Sequence, residues 1–209
     1  MKVIFIAGSW GSGTTAVIGA LSKLGVPTLG PHFGSNDPNT QNTFELMQFR
    51  DLILRYVDQP TLKHKDNYSE EFIPALKKFQ VQIMNDTWPD QPDNEKNTIA
   101  LKMPLASICL PEICSTFDAE VIVVHRPFDE IEASRLRRNW PPLFGSAGAH
   151  YIYGKMFSDL VSHKLSFLGI SYDDVVNNTR QSLIKIAEYC DIDNFHENLG
   201  DAVSFVKKP

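Results

Sequence analysis

A glycine-rich segment close to the first residue has the spacing of a phosphate-binding loop. The sequence KVIFIAGSWGSGTT, residues 2–15, is an apolar stretch that runs into glycines, serines and threonines. In loops that bind nucleoside triphosphates, two glycines five residues apart precede a lysine that grips the terminal phosphates. Gly8 and Gly13 have this spacing, but Thr14 stands in the place of the lysine. The segment therefore favours a phosphate that is held by backbone amides and a helix N-terminus rather than one that is transferred.

A second candidate anion site follows a predicted buried strand in the segment EVIVVHRPFDEIEASRLRR, residues 120–138. Its first part is a continuous β-branched run, which is typical of a strand buried on both faces. Arg126 lies where this strand ends, and Ser134 lies eight residues later, two turns along a predicted helix. If the helix packs back across the strand's end, the guanidinium fork and the hydroxyl can hold one anion together.

Both segments belong to an alternation of strands and helices. Strand-like runs occupy residues 2–7, 26–29, 98–101, 120–124 and 170–172, and helical periodicity occupies residues 44–57, 70–84, 128–138, 151–168 and 181–189. The alternation predicts a three-layer α/β/α fold with a central parallel sheet of about five strands, a P-loop-like nucleotide-binding architecture. Polar segments at residues 30–42 and 86–97 are predicted loops, and the first follows a strand's carboxyl end, where substrates usually bind.

Length and composition narrow the class of protein. A chain of 209 residues that is 43% hydrophobic predicts a single domain, residues 1–209. A net charge of −5 and a pI near 5.7 argue against a nucleic-acid partner. The first apolar run is too short for a signal peptide or a membrane span, so we expect a cytoplasmic protein without a membrane partner. Cys109, Cys114 and Cys190 lack the spacing of disulfides or zinc ligands and are predicted to be free thiols.

Four segments of the chain, in the same order, resemble sulfotransferases that use 3′-phosphoadenosine 5′-phosphosulfate (PAPS). The sequence GSWGSGTT at residues 8–15 resembles the family's 5′-phosphosulfate loop, and HRPFDEIEAS at residues 125–134 resembles its 3′-phosphate element. The sequence LKMPLASICLPEI at residues 101–113 resembles the segment that leads into that strand. Finally, ISYDDVVNNTRQSLIKIAEYCDI at residues 170–192 resembles the family's Tyr-Glu-Asp-Leu strand and closing helix.

The resemblance implies the following roles for this chain. The 5′ phosphate is held by the loop residues Gly11, Ser12, Gly13, Thr14 and Thr15, and the 3′ phosphate by Arg126 and Ser134. A sulfuryl group would pass to a hydroxyl or amine of a small-molecule or glycan acceptor, leaving adenosine 3′,5′-bisphosphate. No metal is expected, because a transferring sulfuryl group carries less negative charge than a γ-phosphoryl group and positioning can suffice.

Three residues are candidates for the acid-base chemistry. Glu45, in NTFELMQF, resembles the region where heparan-type members carry a catalytic glutamate. His32 lies in a loop after a predicted strand, and an imidazole titrates near neutrality. Lys102 lies at the end of a predicted strand, but Met103 and Pro104 follow it, where cytosolic members carry a histidine base two residues after the lysine.

Two alternative functions remain open on the sequence alone. A small-molecule kinase needs a lysine near the γ-phosphate and a carboxylate for magnesium, and Lys102 is the candidate substitute for that lysine. A nucleotide-binding protein that has lost transfer is favoured by Gly11, where the family usually has a basic residue, and by Pro104. Magnesium-dependent transfer from ATP would favour the kinase. Tight binding of the bisphosphate without turnover would favour the protein that has lost transfer.

Overall fold

The computed structural model describes residues 1–35, 40, 42–87 and 97–206. The strands are β1 (Lys2–Ala7), β2 (Val57–Asp58), β3 (Lys63–His64), β4 (Thr98–Lys102), β5 (Asp118–His125) and β6 (Phe167–Ser171). The helices are α1 (Thr14–Lys23), α2 (Met47–Tyr56), α3 (Tyr68–Thr87), α4 (Leu110–Thr116), α5 (Phe128–Arg137), α6 (Ser146–Ser162), α7 (Tyr172–Asn177), α8 (Thr179–Tyr189) and α9 (Phe195–Phe205), with 3-10 turns at Pro104–Ile108 and Pro142–Phe144.

Four of these strands form a central parallel sheet in the order β4-β1-β5-β6. The apolar side chains of β1 alternate between the two faces of this sheet, which is why the strand reads as a continuous apolar run. On one face Phe5 packs in a core with α2 to α6, and on the other Ile4 and Ile6 pack in a core with α1 and α7 to α9. The structure therefore confirms the predicted α/β fold with a parallel sheet covered on both faces.

The predicted strand at residues 26–29 is wrong, and in the described part of the chain the main sheet has four strands rather than five. The segment does run beside β4, because the carbonyl of Pro27 accepts a hydrogen bond from the amide of Ala100 at 2.8 Å. Proline has no amide hydrogen to return, and Leu29 adopts a left-handed conformation with φ of 51°. A ladder therefore cannot continue along this edge.

The predicted helix at residues 151–168 is also wrong at its C-terminal end. Helix α6 ends at Ser162, where Lys164 turns into the left-handed region with φ of 53°, and Phe167 already belongs to β6. The first apolar residues of this short strand continue the helical spacing of the apolar residues in α6, so the predicted helix extended too far. The other predicted helices begin and end within three residues of the observed ones.

The three cysteines are free, as predicted. Burial raises the pKa of the Cys109 and Cys190 thiols to about 12, so both stay protonated at neutral pH. None of the helices in the described part of the chain is both long and apolar enough to cross a bilayer. The predicted loop at residues 86–97 lies almost entirely outside the described residues, as do residues 36–39 and 41 of the predicted loop at 30–42.

Candidate functional site

The glycine loop, residues 8–15, joins the end of β1 to the start of α1. Gly8, Gly11 and Gly13 all have positive φ, and Gly13 is the left-handed residue that caps the N-terminus of α1. The loop is tied down from outside, because the Gly8 amide donates to the Ser107 hydroxyl at 2.9 Å. Within it, the buried Ser12 hydroxyl donates to the Ser9 carbonyl at 2.7 Å. The loop is therefore held in one conformation at the N-terminus of a ten-residue helix, which favours an anion.

We expect Gly13→Ala to destabilise the fold by about 2–3 kcal/mol. Its φ of 98° strains any L residue, and an added Cβ would lie 2.1 Å from Cδ2 of the Tyr172 ring. Gly200→Ala is the matched control, since Gly200 lies exposed in α9 and a Cβ there meets nothing within 4 Å. Urea unfolding measures both changes. The control should be neutral or slightly stabilising, and equal stability of the two variants would contradict the close packing of Tyr172 on the loop.

Lys102 contacts both the glycine loop and Glu45, another of the predicted catalytic residues. It ends β4, is 3% exposed, and its Nζ donates to Thr15 Oγ1 at 3.1 Å. The same Nζ donates to the carbonyl of Thr43 and to Oε1 of Glu45, both at 3.0 Å. The loop itself has Thr14 where a lysine is usual, and Lys102 of the neighbouring strand β4 places a positive charge beside it instead. Glu45 is held beside this charge with its side chain 12% exposed.

His32 is not part of the Lys102 cluster. Its Nε2 lies 3.3 Å from the carbonyl of Thr28, and its Nδ1 lies 2.9 Å from the side-chain amide of Asn42. Because a carbonyl only accepts and an amide NH₂ only donates, these partners assign the neutral tautomer with the proton on Nε2. Both ring nitrogens thus fasten the loop that leads to α2. Glu45, unlike His32, lies beside Lys102.

Arg126 is fixed on three sides at the end of β5. Its Nε donates to Oε2 of Glu130 at 2.7 Å, its Nη1 lies 3.5 Å from the carbonyl oxygen of Gly11, and its guanidinium stacks over the Tyr172 ring at 4.6 Å from the centroid. Such a guanidinium is preorganised, so little rotamer entropy remains to be lost when an anion binds.

Arg126 and Ser134 line one pocket of about 290 Å³, together with Glu130, Ala133 and Arg137. Ser134 is 5% exposed on α5, and a Cβ added to Gly11 would lie 3.6 Å from its Cβ. The structure thus brings the predicted pair together and sets it directly against the glycine loop. Because Arg126 and Arg137 face a single carboxylate in the pocket, the lining carries an excess of positive charge.

Two residues of this arrangement received no role from the sequence. Tyr172 lies between Gly13 and Arg126, and Glu130 binds Arg126. Arg137 also lines the pocket. Arg126 precedes Phe128, the first residue of α5, so the helical ion-pair spacing gave no signal for Glu130. Among the described residues, no group of three or more His, Cys, Asp or Glu side chains is arranged to hold a metal ion.

Nearly the whole chain matches one known protein family. A model described as the sulfotransferase family matches residues 3–197. The chain belongs to the sulfotransferase family. The family predicted from the four sequence segments is therefore confirmed.

Solved sulfotransferase structures share the fold. The sulfotransferase domain of the Synechococcus PCC 7002 olefin synthase aligns with a TM-score of 0.55 and 17% identity, over 100% of this chain and 81% of that one. Sulfotransferase STF9 from Mycobacterium avium aligns with a TM-score of 0.59 and 13% identity, over 99% of this chain and 68% of that one. No curated protein sequence matches the chain significantly. At such low identity the likeness shows the sulfotransferase fold alone.

Proposed function

We propose that this member of the sulfotransferase family transfers a sulfuryl group from PAPS to a hydroxyl or amine of a small-molecule or glycan acceptor. One observation carries the proposal: the glycine loop and the pocket of Arg126 and Ser134, two candidate anion sites of different construction, lie side by side. Arg126, which lines the pocket with Ser134, approaches Gly11 of the glycine loop to within 3.5 Å. A ligand with two phosphates on one nucleoside fits such adjacent sites, whereas a triphosphate chain needs a continuous row of donors along one loop.

The glycine loop is the proposed 5′ site. Its residues from Gly11 to Thr15 end at the N-terminus of α1, so their amides and the helix dipole favour a phosphate there. Lys102 adds a positive charge at Thr15 without belonging to the loop. The family usually has a basic residue at the position of Gly11. The Lys102 ammonium group can take over its role by stabilising the departing 5′ phosphate.

The pocket of Arg126, Ser134 and Arg137 is the proposed 3′ site. Arginine forks match phosphate oxygens, and the buried hydroxyl of Ser134 adds a donor of fixed position. Glu130 holds Arg126 through Nε, which leaves other donors of the fork for the ligand. The ring of Tyr172 forms a wall between the two sites, since it packs on Gly13 and under Arg126.

Glu45 is the proposed base. The donor, when bound, supplies the sulfuryl group and leaves as adenosine 3′,5′-bisphosphate. Glu45 takes the proton from the acceptor's hydroxyl or amine, while its ion pair with Lys102 holds the carboxylate in place. Lys102 lies between Glu45 and Thr15, so one ammonium group orients the base and faces the leaving phosphate. Catalysis on this proposal rests on positioning and electrostatics, and it uses no metal.

We expect Glu45→Gln to lower the transfer rate by about 10²–10⁴-fold while nucleotide affinity stays within about twofold. Glutamine keeps a hydrogen-bond acceptor for Lys102 but cannot take the proton. The measurement is release of adenosine 3′,5′-bisphosphate from PAPS in the presence of phenols, alcohols, amines and oligosaccharides. Glu70→Gln, at an exposed glutamate of α3, is the matched control and should be unchanged. A fully active Glu45→Gln enzyme would remove Glu45 from the mechanism.

Nucleotide binding and transfer from PAPS or ATP, measured together, separate the alternatives. Tight binding of the bisphosphate without turnover on any acceptor would favour a binding protein that has lost transfer. Transfer from ATP that depends on magnesium would favour a kinase, in which Lys102 would replace the missing loop lysine. The single domain, the cytoplasmic location and the exclusion of nucleic-acid and membrane partners stay predictions from the sequence.

A further inference from the structure

Strand β6 is an edge strand of the central sheet. Within the described part of the chain β5 is its only strand partner, and the other side of β6 carries backbone groups without a neighbouring strand. Phe167 and Gly169 are exposed, and a Cβ added to Gly169 would meet only the ring of Phe167, at 3.8 Å. An exposed strand edge is a template for pairing with another strand, and here no lysine or proline within the strand blocks it.

Exposed apolar side chains are concentrated on β6 and on helices α5 and α6, and Phe157 of α6 contacts the strand. Among the described residues nine large hydrophobic side chains are exposed, and five of them lie on the start of α5, on α6 and on β6. These are Phe128 at 37%, Tyr151 at 43%, Phe157 at 40%, Val161 at 77% and Phe167 at 40%. Phe128 and Phe157 also line a pocket of about 590 Å³, whose lining includes Gly154 and Arg126. Apolar surface gathered in this way marks an interaction site.

Helix α6 offers little charge to oppose such an interaction. Its acidic and basic side chains are Lys155 and Asp159, and these two form an ion pair with each other. Phe157, at the border of the helix and the strand, packs edge-on against Phe167 with ring centroids 6.0 Å apart. The two aromatic rings and the β6 edge therefore form one continuous surface, which we name the β6 face.

We propose that the β6 face binds a second copy of this chain, with the two β6 strands paired antiparallel across a two-fold axis at Gly169. The two four-stranded sheets would then form one eight-stranded sheet, and each exposed edge would be closed by the other. In this register position 167 of one strand lies opposite position 171 of the other. Phe167 then lies diagonally across from Gly169 of the second copy, where an aromatic ring covers the surface that glycine leaves bare.

The charges at the two ends of β6 favour a second copy over an unrelated strand. Lys164, which is exposed, precedes the strand, and the exposed Asp173 and Asp174 follow it. Antiparallel pairing brings the basic end of each strand beside the acidic end of the other, so both charge contacts form at once. A parallel arrangement would bring like charges together. Asp174 already accepts hydrogen bonds from Ser171 and Asn178, so Asp173 is the acidic residue better able to meet Lys164 of the second copy.

Sedimentation velocity between about 1 and 100 μM tests the proposal, which does not depend on the sulfotransferase activity. We expect a dimer of the full chain that Phe167→Lys converts to a monomer, because two lysines would then face the bare glycines. Val81→Lys is the matched control, since Val81 is 58% exposed on α3, away from the β6 face, and should leave the dimer intact. A wild-type chain that stays monomeric at 100 μM, or a dimer that persists in Phe167→Lys, would overturn the proposal.

A charge exchange tests the register with variants that leave the apolar surface untouched. Lys164→Asp and Asp173→Lys should each raise the dimer Kd about tenfold, because each places like charges at both ends of the interface. The double variant Lys164→Asp/Asp173→Lys should restore the wild-type Kd, since the exchanged charges attract again. Single and double variants with the same Kd would contradict antiparallel pairing at Gly169. Thermal unfolding of each variant confirms that the fold is retained.

Discussion

Replacing Lys102 by methionine should abolish sulfuryl transfer and lower the free energy of unfolding by about 3–5 kcal/mol. The ammonium group is buried and donates to Thr15, Thr43 and Glu45, so its loss leaves a nearly buried carboxylate without its cation. Methionine keeps most of the side chain's length, which separates the loss of charge from the loss of volume. Chemical unfolding and release of the bisphosphate from PAPS measure the two effects.

Two further variants separate catalysis from folding at this site. The double variant Lys102→Met/Glu45→Gln removes both charges, so it should recover much of the lost stability without recovering transfer. Lys77→Met, at an exposed lysine of α3, should change neither quantity. A double variant that regains both stability and activity would show that Lys102 stabilises the fold but has no part in transfer.

Arg126→Ala should weaken the binding of adenosine 3′,5′-bisphosphate by about 100-fold, or about 3 kcal/mol. It removes the charged fork that lines the pocket with Ser134 and approaches the glycine loop through Gly11. The effect should be specific to the 3′ phosphate, so affinity for adenosine 5′-monophosphate should change little. Isothermal titration calorimetry with both nucleotides measures this difference.

The control for Arg126→Ala is Arg55→Ala, at an exposed arginine near the end of α2. It removes the same charge from the protein and should leave both affinities unchanged. If Arg126→Ala lowered the affinity for both nucleotides equally, the arginine would act through the glycine loop or through net charge rather than on the 3′ phosphate.

The sequence predicted well those parts of the fold that local patterns determine. The runs at β1 and β5 are continuous and apolar because both faces of these strands are buried, and a periodicity of this kind is hard to mistake. The pair of Arg126 and Ser134 is equally local, since a single helix that begins at the end of β5 sets their separation. Their shared pocket follows from that helix lying against the loop at Gly11.

The parts that sequence patterns missed depend on distant residues. Lys102 meets Glu45 and Thr15 across 57 and 87 positions of the chain, so spacing carried no signal of their contact. Tyr172 reaches the loop because β6 ends beside β5, an arrangement that only the strand order fixes. The strand expected at residues 26–29 failed for a local reason, the proline within it, although its apolar pattern resembled a strand.

Calorimetric titration with adenosine 3′,5′-bisphosphate, adenosine 5′-monophosphate and ATP, each with and without magnesium, tests the proposed donor site most directly. The arrangement of Arg126, Ser134 and Lys102 around the glycine loop predicts that the bisphosphate binds most tightly and that magnesium does not change its affinity. If ATP bound most tightly and required magnesium, the two anion sites would not belong to a sulfonate donor, and the proposed reaction would be wrong.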